Sequence, residues 1–374
     1  MKEYGLGAEL KQRNRNNVYK LVYHSGCVTK QQIVAELGLS LPTVTQNLTE
    51  LMQEGLICEQ GSFGNTGGRR ARGYAIVANA RTAVGVDIND RRCAVVLVNL
   101  RGEVLQKKRE YIRFENTDSY YQRVGLMVDA VILAAGVPDE TVLGVGIAVQ
   151  GLVNGEGDRI IYGEILKITG EGLDRIGRYI RYPKMLFHDS DMAAYAEAWM
   201  APQEDMLYLS CSTNLGGAVT GKNTERQDGR FGRARLEHMT LVPDGKRCYC
   251  GQSGCADAYC STTMLTDAVE DGRLESFFER LRSGEERASL VWNDYLDKLS
   301  ILINNACMMY DCDVVLGGYL GEYMEEYMPE LKRRTYRRNS FDRERDYLKL
   351  CRARFDPVSV GAALKYVSEF INHI

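Results

Sequence analysis

The sequence predicts an α/β protein with an N-terminal winged helix-turn-helix head and a larger two-lobed body. Three observations carry this. Three short helical patterns and an arginine-bearing hairpin fill the first 80 residues. Strands alternate with helices after residue 80, which argues for buried sheets. A strand-hairpin opening recurs near residues 83–112 and 206–222, as two related lobes would give.

Residues 14–24 place Val18, Leu21 and Val22 on one helical face, and Ser25-Gly26 ends the run. Thr29 suits the N-cap of a second helix that buries Ile33, Val34 and Leu37 and stops at Gly38. Ser40 caps a third helix with Pro42 in its first turn, where the missing N–H costs nothing. Val44, Leu48 and Leu51 form its apolar stripe, and Gly55 ends it. Thr43, Thr45, Gln46, Asn47 and Thr49 are read as its opposite, exposed face. Two helices joined by a glycine-containing turn suit a helix-turn-helix, whose second helix enters the major groove by its N-terminal residues. Short hydroxyls and amides there can bond base edges and phosphates. A strand, a glycine-rich tip with Arg69, Arg70 and Arg72, and a second strand then read as a wing reaching phosphate or the minor groove. The DNA-contact candidates are Ser40, Thr43, Thr45, Gln46, Asn47, Arg69, Arg70 and Arg72.

The body opens with TAVGVDIN and RRCAVVLVNL, a turn at Arg101-Gly102, and EVLQKKREYI. A helix at about 118–136 and the strand TVLGVGIAVQG follow, then KMLFHDS leading into the helix DMAAYAEAWM. MLYLSCST and GGAVTGKN form a second hairpin-like pair, helices dominate 261–310, and CDVVLGG is a late strand. The expected domains are 1–80, 81–195 and 196–374, with a C-terminal helix returning to the first lobe.

Composition agrees with this organisation. The 374 residues are 45% apolar and 26% charged, as in ordinary globular protein, so disorder and fibrous folds are excluded. There is no apolar run of about 18 residues and no apolar leader, so neither a membrane span nor secretion is expected, and a cytoplasmic location is. Eleven cysteines without a leader read as thiols or metal ligands. The net charge of −3 divides into +3 on residues 1–76 and −6 on the rest, which permits nucleic-acid contact at one end only.

The densest chemical motif is RLEHMTLVPDGKRCYCGQSGC, which holds His238, Cys248, Cys250 and Cys255. One imidazole and three thiolates make a closed tetrahedral zinc set with no position for an activated water, hence a structural metal. Gly251 and Gly254 allow the tight folding between ligands. Cys260 is a spare thiol able to replace one of them.

With these residues in view, the chain resembles the ROK family (repressors, open reading frames, sugar kinases) over nearly its whole length. The carrying segments are GRARLEHMTLVPDGKRCYCGQSGCAD, LPTVTQNLTELMQEGLI and the GGRR after it. The resemblance is to the repressor branch. It implies an actin-like, hexokinase-like (ribonuclease H-like) body with a cleft, zinc in the C-terminal lobe, and dimers or tetramers. The resemblance places ligand contacts at Gly151, His188, Asp189, Arg235, Glu237 and Asp257.

The departures are informative. Kinases of the family open with a GVDIGGTK-type phosphate loop, where small residues let backbone N–H groups approach phosphate. Here the segment is GVDINDRR, and Asp90 would bring negative charge towards a triphosphate. The second loop is SCSTNLGGA, keeping Gly216 and Gly217, and Gly317-Gly318 survives from a later motif. Asp189 stands at the general-base position and can accept a hydrogen bond from a sugar hydroxyl without ATP. His188 replaces an asparagine, Arg235 a glutamate, Glu237 a glycine and Asp257 a glutamate. Arg235 either takes a carboxylate or phosphate, faces solvent, or pairs with Glu237. Together these features point to a repressor of carbohydrate-use genes. It would bind a double-stranded operator as a homodimer or homotetramer and respond to a sugar or sugar derivative. A sugar kinase with an appended DNA-binding head and a protein-controlled scaffold are the competing classes.

Overall fold

The structure, a computed structural model, describes residues 3–63, 71–201, 205–220, 232–233, 235–341, 345–354 and 356–374. The head holds α1 (Glu3–Ser25), β1 (Val28–Thr29), α2 (Lys30–Leu37), α3 (Leu41–Gln53), β2 (Ile57–Phe63) and β3 (Ala71–Ile76). Thr29 closes a reciprocal capping box with Gln32, satisfying two otherwise orphaned N–H groups. Ser40 Oγ accepts from Thr43 N at the start of α3. Ile33 is buried, while Val34 and Leu37 are half-buried at the edge of the head's core. β3 pairs antiparallel with both β1 and β2, giving the winged hairpin sheet. α1 starts eleven residues earlier than the apolar spacing marks, and Leu10 in that early part is exposed.

The first lobe contains β4 (Thr82–Ile88), β5 (Cys93–Asn99), β6 (Val104–Glu110), α4 (Asp118–Ala135), β7 (Val142–Val149), β8 (Leu152–Val153), β9 (Ile160–Tyr162), α5 (Leu173–Ile176), β10 (Lys184–His188) and α6 (Asp189–Met200). The second contains β11 (Met206–Cys211), β12 (Leu215–Thr220), β13 (Gly232–Arg233), α7 (Asp257–Cys260), α8 (Thr263–Thr266), α9 (Leu274–Arg282), α10 (Glu286–Tyr310), β14 (Asp313–Gly317), α11 (Met328–Tyr336) and β15 (Leu348–Leu350). α12 (Pro357–Asn372) follows.

The two large sheets have the same plan. In the first, the order is β6-β5-β4-β7-β10, and in the second β13-β12-β11-β14-β15. Each begins as an antiparallel meander and continues with parallel strands on the other side of its first strand. β4, β5 and β11 are buried along their whole length, as expected of strands covered on both faces.

α4 covers one face of the first sheet, and α12 covers the other against β4, β5 and β7. α6 lies between the lobes, touching α12 and β12. The expected boundary at 195/196 falls inside α6, which runs unbroken because both lobes bury it. Glycine makes this close packing possible, since a Cβ at Gly361 would lie 1.8 Å from the Met192 carbonyl oxygen. The head does not stand apart. Its core residues Val18, Tyr19, Val22 and Leu48 belong to one apolar cluster with Met192, Val358 and Val367. Among the described residues, no helix is long and apolar enough to cross a membrane.

Candidate functional site

A cavity of about 380 Å³ opens beside the ends of β7, β10 and β12. Five of the six expected ligand residues line it: Gly151, His188, Asp189, Arg235 and Glu237. Gly151 permits the approach of β9, because a Cβ there would lie 2.8 Å from the Tyr162 carbonyl oxygen. Asp257 is not on the wall. It is buried, and its Oδ1 accepts the Leu215 N–H at 2.7 Å, so it fixes the loop that carries Asn214 and Leu215.

β10 delivers His188 to the wall, and α6 begins at the next residue. Asp189 and Asp191 lie in the first turn of α6, where the helix dipole favours negative charge. His188 is flanked by Asp189 at 3.3 Å and Asp191 at 3.4 Å. Burial alone would lower the His188 pKa, but Asp191 and then Asp189 overcome it and hold it up to about 9. The imidazole is therefore a cation at neutral pH. Burial raises the Asp189 carboxyl, against the pull of His188 and the Ser190 N–H. Burial likewise pushes Glu237 up to about 7.

Sequence reasoning missed Gln150, Tyr162, Glu164, Asn214 and Tyr249, which also line the cavity. Gln150 is buried and stands just beyond the end of β7, and the end of an α/β strand is where ligand contacts concentrate.

The four expected metal ligands come together. The donor atoms of His238, Cys248, Cys250 and Cys255 all lie within 4.8 Å of one another. Cys248 Sγ to His238 Nδ1 is 3.8 Å, and Cys250 Sγ to Cys255 Sγ is 3.8 Å. A tetrahedron with metal–sulfur bonds of about 2.3 Å has edges of about 3.8 Å, so the set fits a single ion. Gly251 and Gly254 both have positive φ, and a Cβ at Gly254 would clash with the Val242 carbonyl oxygen at 1.9 Å. Cys260 is not a fifth candidate, since it is fully buried among apolar residues of the second lobe. The His238 Nε2 faces Tyr249 Oη at 3.4 Å, and His238, Tyr249 and Cys250 all line the cavity. The His/Cys cluster is thus one wall of this cavity.

On the far side of the cleft, the segment that replaces the phosphate loop carries side chains, and Asn89, Arg92 and Tyr319 line a second cavity of about 500 Å³. Arg92 Nη2 donates to Asp87 Oδ2 at 3.0 Å, both buried, and its guanidinium lies 4.1 Å from the centre of the Tyr319 ring. Asn89 Nδ2 donates to Tyr319 Oη at 2.5 Å. These groups stand where a phosphate loop needs bare backbone.

In the head, Thr43, Thr45 and Gln46 are at least partly exposed on α3. Asn47 is not. It is 3% exposed, and its Nδ2 donates to the Thr43 carbonyl at 2.8 Å. The reason is helical geometry, since position 47 is i+3 from Val44 and shares its inward face. Ser40 is exposed but its hydroxyl is engaged with Thr43 as the cap. Arg72 Nη1 donates to both carboxylate oxygens of Glu59 across the wing, at 2.8 and 2.9 Å. Arg69 and Arg70 lie outside the described residues.

Comparison with known proteins adds four findings. Residues 83–356 match the model of the ROK family. A protein of Caldicellulosiruptor sp. strain Rt8B.4 that carries the provisional name of xylose repressor is 25% identical over 338 residues, 84% of each chain. The DNA-binding transcriptional dual regulator NagC of Escherichia coli K12 is 24% identical over 269 residues, 70% of this chain and 65% of that one. Among solved structures, a ROK family transcriptional regulator, homologous to the Escherichia coli MLC protein, superposes with a TM-score of 0.74 at 21% identity, covering 97% of both chains. At that identity the likeness speaks for the fold, head included.

Proposed function

The chain belongs to the ROK family, and from that premise we propose that it is a sugar-responsive transcriptional repressor. Its operator would be double-stranded DNA, and its effector a sugar or sugar derivative in the cavity of the body. The names of the relatives, a xylose repressor and NagC, support this reading.

The single observation that carries it is the path from cavity to head. α6 begins at Asp189 on the cavity wall and ends near Trp199, whose ring meets Tyr23 of α1. α12 packs along α6 and also touches α1, where Tyr19 meets Phe370 edge-on. A ligand that shifts the lobes about α6 thereby moves the head. Coupling of about 1–3 kcal/mol would change operator affinity about 5- to 150-fold.

Two heads of a homodimer would place α3 in successive major grooves, with Thr43, Thr45 and Gln46 towards the bases and the wing arginines towards the backbone. Ser40 acts as the cap that positions them. The four-ligand set His238, Cys248, Cys250 and Cys255 would hold a structural zinc that keeps Tyr249 and the adjoining loop on the cavity wall. Asp189 would accept a sugar hydroxyl.

A sugar kinase with a DNA-binding head is the competing reading. The placement of Asp189 favours it, but the side chains of Asn89, Arg92 and Tyr319, not bare backbone, line the cavity where a triphosphate would sit. Selection from random duplex DNA tests the proposal. An enriched inverted repeat released by a sugar is expected, and binding without sequence preference would sink it.

A further inference from the structure

The cavity wall carries two cationic side chains in different electrostatic states. His188 has its counter-charges inside the protein, in Asp189 and Asp191. Arg235 is exposed on the same wall and has no ion pair or hydrogen bond among the described residues. Glu164 and Glu237 share that wall but lie beyond ion-pair distance of it, and Glu164 instead accepts from Thr169 Oγ1 at 3.3 Å. A guanidinium is charged at every physiological pH and is a pure donor. With no carboxylate in ion-pair range among the described residues, it is left to water or to a ligand.

The remainder of the wall suits hydroxyl groups. Asp189 accepts them, Gln150 and Asn214 can do either, and Tyr162 and Tyr249 offer ring surface. About 380 Å³ lies at the small end of ligand cavities and has room for a single sugar ring. One guanidinium without an ion-pair partner, at a hydroxyl-binding cavity of that size, matches one acidic group on one ring.

Resting on the sugar-effector reading above, we infer that the effector is a monosaccharide bearing one acidic group, and that Arg235 is the residue that selects it. The planar fork of Arg235 binds a carboxylate or a phosphate through two parallel hydrogen bonds, whereas a neutral sugar leaves it unpaired. The hydroxyls of the same ring go to Asp189 and the amides.

Calorimetry on the full chain at neutral pH tests this with glucose, galactose, xylose, N-acetylglucosamine, glucuronate, galacturonate and glucose 6-phosphate. At least one acid binds ten-fold or more tightly than its neutral parent, and the glucuronate and glucose 6-phosphate arms separate carboxylate from phosphate recognition. Arg235→Glu removes that preference and Arg235→Lys keeps part of it, with operator binding and circular dichroism serving as the folding control. Should Arg235→Glu fail to fold, Arg235→Gln reads the same preference. A neutral sugar binding as tightly as its acid, or an acid preference unchanged in these variants, overturns the inference alone. Silence from every sugar, with operator binding intact, overturns the sugar-effector reading and the inference with it.

Discussion

The ring of Tyr23 in α1 meets the ring of Trp199 at the end of α6 edge-on, with centroids 6.5 Å apart. The Tyr23 hydroxyl also donates to the Leu100 carbonyl at 2.8 Å, so the head is held at a fixed place on the body. Trp199→Ala should therefore uncouple the two without unfolding either. Operator affinity measured by fluorescence anisotropy is expected to become less sensitive to effector, with a loss of about 0.5–2 kcal/mol of coupling. An unchanged ratio of affinities with and without effector would remove Trp199 from the path.

Gln46 and Asn47 are neighbours with opposite fates. Gln46→Ala should weaken operator binding by about 1–3 kcal/mol and relax specificity at one base pair. Asn47→Ala should cost about 1 kcal/mol of stability through its lost bond to Thr43, read in a urea titration. The reverse pattern would mean that α3 turns another face to DNA.

Elemental analysis of purified protein should find close to one zinc per chain. Cys250→Ser should lower the metal content and the melting temperature. Because Tyr249 and Cys250 stand on the cavity wall, it should also weaken effector binding, by about ten-fold or more. Full effector affinity in a metal-free variant would contradict the structural link.

His188 gives a pH signature. Its pKa is held up to about 9 in the folded chain, against an ordinary value of 6.5. A raised histidine contributes stability that is fully present below pH 6.5 and is lost as pH rises through about 9. The groups facing it are Asp189, Asp191 and Glu237. Urea titrations from pH 6 to 9.5 should show a decline on the order of 3 kcal/mol at most, absent in His188→Asn. An equal decline in the variant would assign it elsewhere.

Asp189→Asn should weaken effector binding by about ten-fold or more, since a carboxylate accepting hydroxyls becomes a group that also donates. A coupled assay should detect no sugar-dependent ATP consumption by the parent chain. Turnover abolished by this substitution would instead establish a kinase.

Local signals in the sequence point to the capped helices, the strand meanders and the His/Cys cluster, because each is written within a few neighbouring residues. Thr29 with Gln32, Ser40 with Pro42, and the Cys248–Cys255 spacing are of this kind. Asn47 was misjudged because residue type outweighed its i+3 spacing from Val44. The cavity was half legible. Its motif residues were visible, but Gln150, Tyr162 and Asn214 come from separate segments that only the two sheets bring together. The buried Arg92–Asp87–Tyr319 cluster spans more than 200 positions, a separation no periodicity records.

α12 also bears on the order of events during synthesis. The face of the first sheet formed by β4, β5 and β7 is closed by residues more than 200 positions later. As the chain emerges from the ribosome, that face stays uncovered until Pro357–Asn372 have left the tunnel, and the head's apolar residues wait for the same helix. Such late long-range closure slows folding and leaves apolar surface open to misassociation meanwhile. A nascent chain halted before α12 is thus expected to be a substrate for chaperones, even though all of its described strands are already made.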